Sequence, residues 1–195
     1  MRYVDLTFRL NGTTVPVDHG YALYSALSRV VSEIHSDPRI GVQPIRGVYA
    51  GDGTLHLAPF SRLILRLPDE QMRTYLTIAG KTLEIDLHSV SVGVPQTRAL
   101  HPVARLRARL VTIKGFLEDD SFLDAAKRQL EALGIAGYIH LGQRRTLRIK
   151  DKQVVGFEMA VSGLTAEESL TLQEKGLGGR RRMGCGVFVP ISGST

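Results

Sequence analysis

Residues 176–186 read Gly-Leu-Gly-Gly-Arg-Arg-Arg-Met-Gly-Cys-Gly, which combines five glycines with three consecutive arginines. Glycine allows the backbone to turn with positive φ and to approach another molecule closely. Arginine carries a permanent positive charge on a planar group that fits phosphate. We therefore expect this glycine-rich loop to bind a polyanion. Its candidate contact residues are Gly176, Gly178, Gly179, Arg180, Arg181, Arg182 and Gly184.

The glycine-rich loop lacks two well-known phosphate-binding motifs. Gly179 and Gly184 have the Walker A spacing, but Cys185 and Gly186 stand where lysine and serine or threonine are required. Arg181 stands where a dinucleotide-binding loop needs its third glycine, and a strand is predicted after the loop where that motif needs a helix. A small-molecule enzyme that binds a nucleotide at this loop is therefore a distant alternative.

The loop precedes the last strand in the second of two similar series of elements. In the first half we predict strands at residues 3–10, 63–67 and 83–94, a hairpin at residues 48–57, and helices at residues 20–35 and 68–78. In the second half we predict strands at residues 103–113, 138–141 with 146–150, 154–161 and 187–189, and helices at residues 122–133 and 165–175. Both halves follow the order β-α-β-β-α-β. This order predicts an α+β protein with two tandem ferredoxin-like folds, at residues 1–95 and 96–195.

The composition is that of a basic protein that binds an acidic partner and does not span a membrane. The net charge of +6 and the pI of about 9.7 suit nucleic acid, although solubility alone is the alternative reading. A single cysteine, Cys185, excludes a disulfide framework. The N-terminus does not resemble a signal peptide, and no apolar run approaches the roughly 18 residues that a membrane span needs. We expect a cytoplasmic protein.

Basic residues are concentrated in the second half. Arg105, Arg107 and Arg109 alternate with apolar residues in a predicted strand, so all three should lie on one face. Further basic residues of this half are Lys114, Arg144 and Arg145. Several basic segments in one half predict a nucleic-acid surface, with a solvated face as the alternative.

The glycine-rich loop and the Val-Phe-Val-Pro run after it resemble the loop of the repeat-associated RNA-binding superfamily of CRISPR systems. Residues 15–24, Val-Pro-Val-Asp-His-Gly-Tyr-Ala-Leu-Tyr, and the helix that is predicted to end at His35 resemble the CRISPR repeat endoribonucleases of that superfamily. The resemblance is to the myxobacterial-type variant and covers essentially the whole chain. The loop does not specify catalysis, because superfamily members that do not cut RNA also carry it.

This resemblance implies that the chain binds CRISPR repeat RNA and cuts precursor crRNA within the repeat, without a metal or another cofactor. In the family a histidine promotes attack of a ribose 2′-hydroxyl on the adjacent phosphate, which produces a 2′,3′-cyclic phosphate and a 5′-hydroxyl. Other subunits of a CRISPR interference complex are further candidate partners. The alternative is a non-catalytic RNA-binding subunit of an effector complex.

The chemistry of 2′-hydroxyl attack indicates the side chains that are needed. Histidine suits the two proton transfers, and lysine or arginine suits stabilisation of the phosphorane charge. His35, at the predicted end of the first helix, is the first catalytic candidate, and His19, at the turn into that helix, is the second. Tyr24 and Ser28 share a helix face and are candidates for orienting the scissile phosphate.

Each of these candidates has a structural alternative. His35 could bond free carbonyl groups at the helix end, and His19 could make local hydrogen bonds. Tyr24 could simply pack, and Ser28 could face solvent. The sequence does not choose between Lys114 and Arg46 for charge stabilisation, and no pair of histidines has the spacing of a metal site.

Overall fold

The first half of the chain forms a five-stranded antiparallel sheet with two helices in the computed structural model, which describes residues 2–191. The described residues of this half contain eight strands, five of them in the main sheet. They are β1 (Tyr3–Asn11), β2 (Thr14–Pro16), β3 (Gly41–Gln43), β4 (Val48–Tyr49), β5 (Thr54–His56), β6 (Arg62–Pro68), β7 (Thr82–Ile85) and β8 (His88–Ala99). Its helices are α1 (Gly20–Val30) and α2 (Met72–Leu76), with 3₁₀ turns at Ser32–His35 and Asp69–Gln71. The main sheet has the order β3-β6-β1-β8-β7, and β2, β5 and β4 form a small separate sheet.

The second half repeats this arrangement with fewer strands. Its elements are β9 (Arg105–Val111), α3 (Asp119–Ala132), β10 (Tyr138–Ile149), β11 (Lys152–Ser162), α4 (Ala166–Lys175) and β12 (Val189–Pro190), with a 3₁₀ turn at Arg181–Met183 inside the glycine-rich loop. The sheet order is β10-β11-β9-β12, which matches the order β3-β6-β1-β8 of the first half. The predicted pair of tandem ferredoxin-like folds is therefore confirmed.

Local sequence explains where the helices form. In α1, Ala22, Leu23, Ala26 and Leu27 recur at helical spacing and are buried in the first core. In α4, the predicted capping box is present, since the Glu168 main-chain N–H donates to Thr165 Oγ1 and the Thr165 N–H donates to the Glu168 carboxylate. Within residues 2–191, no helix is long and apolar enough to cross a membrane.

Several element boundaries differ from the predictions, and two of these differences change the first half most. The predicted helix over residues 20–35 ends at Val30, because Val31 adopts an extended conformation before the 3₁₀ turn begins. The predicted strand over residues 83–94 is two strands, joined by a turn in which Asp86 has positive φ. The second of them, β8, pairs with β1 as far as Ala99, so the first sheet continues past residue 95.

A buried arginine connects the two halves. Arg66 lies in the middle of β6 with 1% of its surface exposed. Its Nε and Nη2 atoms bond the two carboxylate oxygens of Asp5 at 2.8 and 2.9 Å, and its Nη1 atom donates to the main-chain carbonyls of Gln173 and Phe188 in the second half. Removing one partner of such a buried pair typically costs about 3–5 kcal/mol, because the other charge is left uncompensated.

Candidate active site

His35 and Tyr24 form a hydrogen-bonded pair at the protein surface. His35 is exposed at the end of the 3₁₀ turn after α1, and Tyr24 is half-buried on α1. Tyr24 Oη lies 2.7 Å from His35 Nδ1, and the rings meet edge to face with centroids 5.5 Å apart. Among the described residues, His35 Nε2 has no hydrogen-bond partner, so this nitrogen is available to a ligand.

The pair can take part in either direction of proton transfer. When Nδ1 of His35 carries the proton, it donates to Tyr24 Oη and leaves Nε2 as a proton acceptor. When Nδ1 is unprotonated, the tyrosine hydroxyl donates to it and Nε2–H becomes a proton donor. The tyrosine therefore orients the imidazole in both states. In general acid–base catalysis, a hydrogen bond to one ring nitrogen commonly holds the other nitrogen in place for proton transfer.

Arg182, from the glycine-rich loop, reaches the same place. Its Nη1 atom donates to the Ile34 carbonyl at 2.8 Å and to the His35 carbonyl, and its guanidinium lies 5.8 Å from the centroid of the Tyr24 ring. Carbonyl groups at a helix end lack intrahelical donors, and here Arg182 satisfies two of them. The alternative role for the His35 imidazole, bonding to such carbonyls, is therefore filled by another side chain.

Ser28 lies one helical turn from Tyr24, as its spacing predicted. Its hydroxyl donates to the Tyr24 main-chain carbonyl at 2.7 Å. This is the common bond of a helical serine to the carbonyl four residues earlier. The hydroxyl proton of Ser28 is thus used within α1.

His19 has a structural position, which corrects its ranking as the second catalytic candidate. It is 1% exposed, its Nδ1 lies 2.7 Å from the Pro16 carbonyl, and its Nε2 accepts the Ile45 main-chain N–H at 2.9 Å. Burial lowers the pKa of His19 and favours the neutral imidazole. Both nitrogens are occupied by backbone groups, so this side chain has no free atom to offer RNA.

The arginines of β9 occupy one exposed face, as their alternation predicted. Arg105, Arg107 and Arg109 are exposed, whereas the intervening Leu106 and Ala108 are buried. In the part of the chain that the structure describes, none of these three arginines forms an ion pair. Three uncompensated positive charges in a row attract a polyanion.

A cleft of about 540 Å³ lies between this face and the first half of the chain. Arg107, Arg109 and Arg145 line it from one side, and Arg46 lines it from the other. Glu158, which pairs with Arg145 at 3.0 Å, is the one carboxylate among its described lining residues. An adjoining cavity of about 400 Å³ shares Arg109 and Arg145 and adds Arg144 together with one carboxylate, that of Asp18. Basic side chains therefore continue from one cavity into the next.

Lys114 and Arg109 are both basic candidates that reach solvent. Lys114 is exposed just after β9, in the turn that leads to α3. Although Arg109 reaches solvent, partial desolvation by the surrounding cleft and the positive charge of Arg145 lower its pKa, and the arginine remains charged at neutral pH. The 400 Å³ cavity reaches the glycine-rich loop at Met183 and Gly184.

The glycines of the loop serve mainly close packing. Gly176 and Gly184 are buried, and a Cβ atom at Gly176 would lie 2.2 Å from the Gly186 carbonyl oxygen. A Cβ atom at Gly178 would lie 2.4 Å from the Thr112 carbonyl oxygen, whereas Gly179 is exposed. Gly176 is therefore enclosed by neighbouring protein atoms, whereas Gly184 also lines the 400 Å³ cavity, so contact of these glycines with RNA stays a prediction.

The three consecutive arginines have different surroundings. Arg180 is exposed, and its main chain has positive φ. Arg181 donates to the carbonyls of Arg39 and Glu174, and burial lowers its pKa to about 10. Arg182 is half-buried beside His35. Of these three, Arg180 is thus the most exposed, and RNA binding by all three stays a prediction.

Cys185 is inert in this loop. It is fully buried, and burial raises the pKa of its thiol to about 12. The thiolate that a nucleophile requires is therefore scarce at neutral pH.

No group of three or more His, Cys, Asp or Glu side chains in residues 2–191 is arranged to hold a metal ion.

Sequence reasoning missed two features that position the site. One is Arg66, although a single charge within the apolar run Leu-Ile-Leu-Arg-Leu-Pro could have indicated a buried ion pair. The other is Gly20, where a Cβ atom would lie 2.5 Å from the Met183 carbonyl oxygen and 2.8 Å from Leu147. The beginning of α1 therefore packs directly against the glycine-rich loop.

Comparison with known proteins gives consistent matches. The family model described as Cas6 Crispr matches residues 4–193. The CRISPR-associated endonuclease Cas6 of Myxococcus xanthus (strain DK1622) is 45% identical to this chain over an alignment of 197 residues, gaps included. The alignment covers 97% of this chain and 82% of that protein.

Solved structures share the fold. A CRISPR associated protein Cas6 matches with a TM-score of 0.70 at 13% identity, covering 98% of this chain and 99% of that one. A structure described as the characterization of a Cas6-related gene from Pyrococcus furiosus matches with a TM-score of 0.69 at 15% identity, covering 97% and 99%. Thermus thermophilus Cse3, bound to an RNA representing a pre-cleavage complex, matches with a TM-score of 0.54 at 18% identity, covering 97% and 98%.

Proposed function

The chain belongs to the Cas6 family of CRISPR-associated endonucleases, and we propose that it cuts precursor CRISPR RNA within its repeats. The observation that carries this proposal is the exposed His35, whose Nδ1 is held by Tyr24 and whose Nε2 is available. The basic cleft beside the β9 arginines supports a nucleic-acid substrate.

We propose that the reaction uses the RNA's own 2′-hydroxyl as the nucleophile. Nε2 of His35 accepts the hydroxyl proton while the 2′-oxygen bonds to the adjacent phosphorus. The bond from phosphorus to the 5′-oxygen breaks, and that oxygen takes up a proton from solvent. The protonated His35 returns its proton to solvent, so no proton is gained or lost overall. The products carry a 2′,3′-cyclic phosphate and a 5′-hydroxyl, so the step consumes neither water nor an oxidant.

The remaining basic side chains hold the RNA in place for this attack. We propose that basic side chains of the second half contact the ribose-phosphate backbone. They are the half-buried Arg145 of the cleft and the exposed Arg105, Arg107, Arg109, Lys114, Arg144 and Arg180. These contacts would place the attacking oxygen in line with the leaving oxygen. Such alignment lowers the barrier because the reacting groups no longer have to find each other.

The experiment is a cleavage assay with a repeat RNA in excess EDTA, followed by analysis of the product ends. Cutting with a cyclic phosphate end and no added metal is the expected result. Replacing the ribose at the cut position with 2′-deoxyribose should abolish cutting, and cleavage of the deoxy substrate would contradict the proposed attack. Tight binding without any cutting would favour the non-catalytic RNA-binding subunit.

Two variants assign the chemistry to one imidazole. His35→Ala should lower the cleavage rate by about 10²–10⁴-fold, the usual contribution of a general acid–base group, and leave RNA affinity near the wild-type value. His101→Ala is the matched control, because it removes another exposed imidazole, in the segment between the two sheets. Equal rates for His35→Ala and His101→Ala would remove His35 from the mechanism.

A further inference from the structure

The turn that carries His35 is short. Ser32–His35 is a single 3₁₀ turn, preceded by the extended Val31. The Glu33 carbonyl accepts the main-chain N–H groups of Ser36 and Asp37, both at 3.1 Å. The next two carbonyls, of Ile34 and His35, are bound by Nη1 of Arg182. A side chain from 147 residues away thus completes this turn.

The main chain of Arg182 is anchored in the second half. Its 3₁₀ turn is closed by bonds from the Met183 and Cys185 N–H groups to the Arg180 carbonyl, at 2.9 and 3.3 Å. The Gly186 N–H donates to the Leu110 carbonyl of β9 at 2.7 Å. The loop that carries Arg182 is therefore bonded to the strand that bears the exposed arginines, and the Arg182 side chain reaches the catalytic candidate of the other half.

Arg182 also restrains Tyr24. Its guanidinium lies 5.8 Å from the tyrosine ring centroid, within the range of a cation–π contact. One side chain therefore touches both members of the Tyr24–His35 pair, the ring of one and the main chain of the other.

We propose that Arg182 is a positioning residue, which sets the place of His35 and Tyr24 relative to the RNA held by the second half. This inference rests on the proposed function, because the position matters only if His35 acts on RNA. Its effect passes through geometry, and misplacing a reacting group by about 1 Å can cost about 10²-fold in rate.

The test measures single-turnover cleavage at saturating repeat RNA and, separately, the Kd for that RNA. Arg182→Gln should lower the rate by about 10–100-fold and leave the Kd near the wild-type value. Arg182→Lys should recover part of the rate, since an ammonium group can still donate to the two carbonyls. The matched control is Arg29→Gln, because Arg29 lies on α1 and also donates to a main-chain carbonyl, that of Glu84 at 2.8 Å. This control should cut at the wild-type rate.

A spectroscopic readout reports the position of the imidazole directly. In nitrogen-15 NMR spectra of the RNA-free protein, the His35 Nδ1 resonance should shift in Arg182→Gln in the same direction as in Tyr24→Phe, and should not shift in Arg29→Gln. A general loss of stability would not produce this selective change. Should Arg182→Gln fail to fold, the same measurements on Arg182→Lys decide the question.

Two results would overturn this inference. One is a wild-type rate and unchanged His35 resonances in a folded Arg182→Gln. The other is a weaker Kd with an unchanged rate at saturation, which would make Arg182 an RNA-binding residue. Failure of the proposed function is distinct, because the wild-type protein would then bind RNA without cutting it, whatever the state of residue 182.

Discussion

The hydroxyl of Tyr24 and Nδ1 of His35 lie 2.7 Å apart, although eleven positions separate the two residues along the chain. The contact crosses from the middle of α1 to the end of the following 3₁₀ turn. It exists because α1 stops at Val30, which brings the turn back toward the face that carries Tyr24. The end of one helix thus creates the geometry of the candidate site.

Tyr24→Phe tests the contribution of this hydrogen bond to catalysis. The substitution removes the hydroxyl but keeps the ring beside Arg182. We expect the single-turnover cleavage rate to fall about two- to tenfold, because a hydrogen bond contributes about 0.5–1.5 kcal/mol and about 1.4 kcal/mol corresponds to tenfold. A rate equal to that of the wild type would show that the hydroxyl does not orient the imidazole.

The salt dependence of RNA binding tests the exposed face of β9. Replacing Arg105 and Arg107 with glutamine should weaken binding and flatten the slope of log K against log salt by about 0.7–0.9 for each phosphate that the variant no longer binds. Lys127→Gln serves as the control for net charge, because Lys127 is an exposed cation of α3 that pairs with Asp124 at 3.7 Å. Equal flattening by this control would place the RNA somewhere other than the β9 face.

The pH dependence of stability tests the burial of His19. Its pKa is lowered in the folded state by burial, so the unfolded chain binds more protons once the pH falls below the ordinary histidine value of about 6.5. The free energy of unfolding should therefore decrease as the pH falls below about 6.5, by at most about 1.4 kcal/mol per pH unit, until the folded pKa is reached.

The comparison with His19→Gln isolates this contribution. Urea denaturation of both proteins between pH 8 and pH 5 gives the two stability curves. The variant should be less stable at pH 8, because the bonds to Pro16 and Ile45 are disturbed, and its stability should fall less steeply on acidification. Parallel curves would mean that His19 titrates normally in the folded protein.

The reactivity of Cys185 tests the packing of the glycine-rich loop. Because the thiol is fully buried and its pKa is raised to about 12, the native protein should not react with a thiol reagent such as DTNB. The same protein unfolded in guanidinium should react completely, which serves as the control. Rapid reaction of the native protein would show that the loop opens to solvent.

Features set by nearby residues were predictable from the sequence. The alternation of arginine with apolar residues in β9 predicted its exposed and buried faces, and the residues Thr165 and Glu168 predicted the start of α4. The order of elements in each half predicted the pair of ferredoxin-like folds. These features depend on periodicity and on contacts within one turn or one strand, and both can be recognised in the amino-acid sequence.

The candidate site depends on contacts between residues that are far apart in the sequence, and the sequence pattern does not indicate these contacts. His19 stands at a turn and has the pattern of an exposed residue, but the Ile45 N–H arrives from a distant segment to bind its ring. Arg182 has the pattern of a phosphate ligand, yet its guanidinium is bound to the end of a turn in the other half. The roles of these side chains follow from tertiary packing, and they become visible only when the two halves are placed together.

The close approach of Gly20 to Met183 has an evolutionary consequence. Any lineage that acquires a side chain at position 20 must also move the loop 163 residues further along the chain, since the two main chains leave no room for a methyl group. A substitution at this contact in one half therefore requires a compensating change in the other half. The two folds, which share an architecture but no recognisable repeat, are expected to have diverged as a coupled pair.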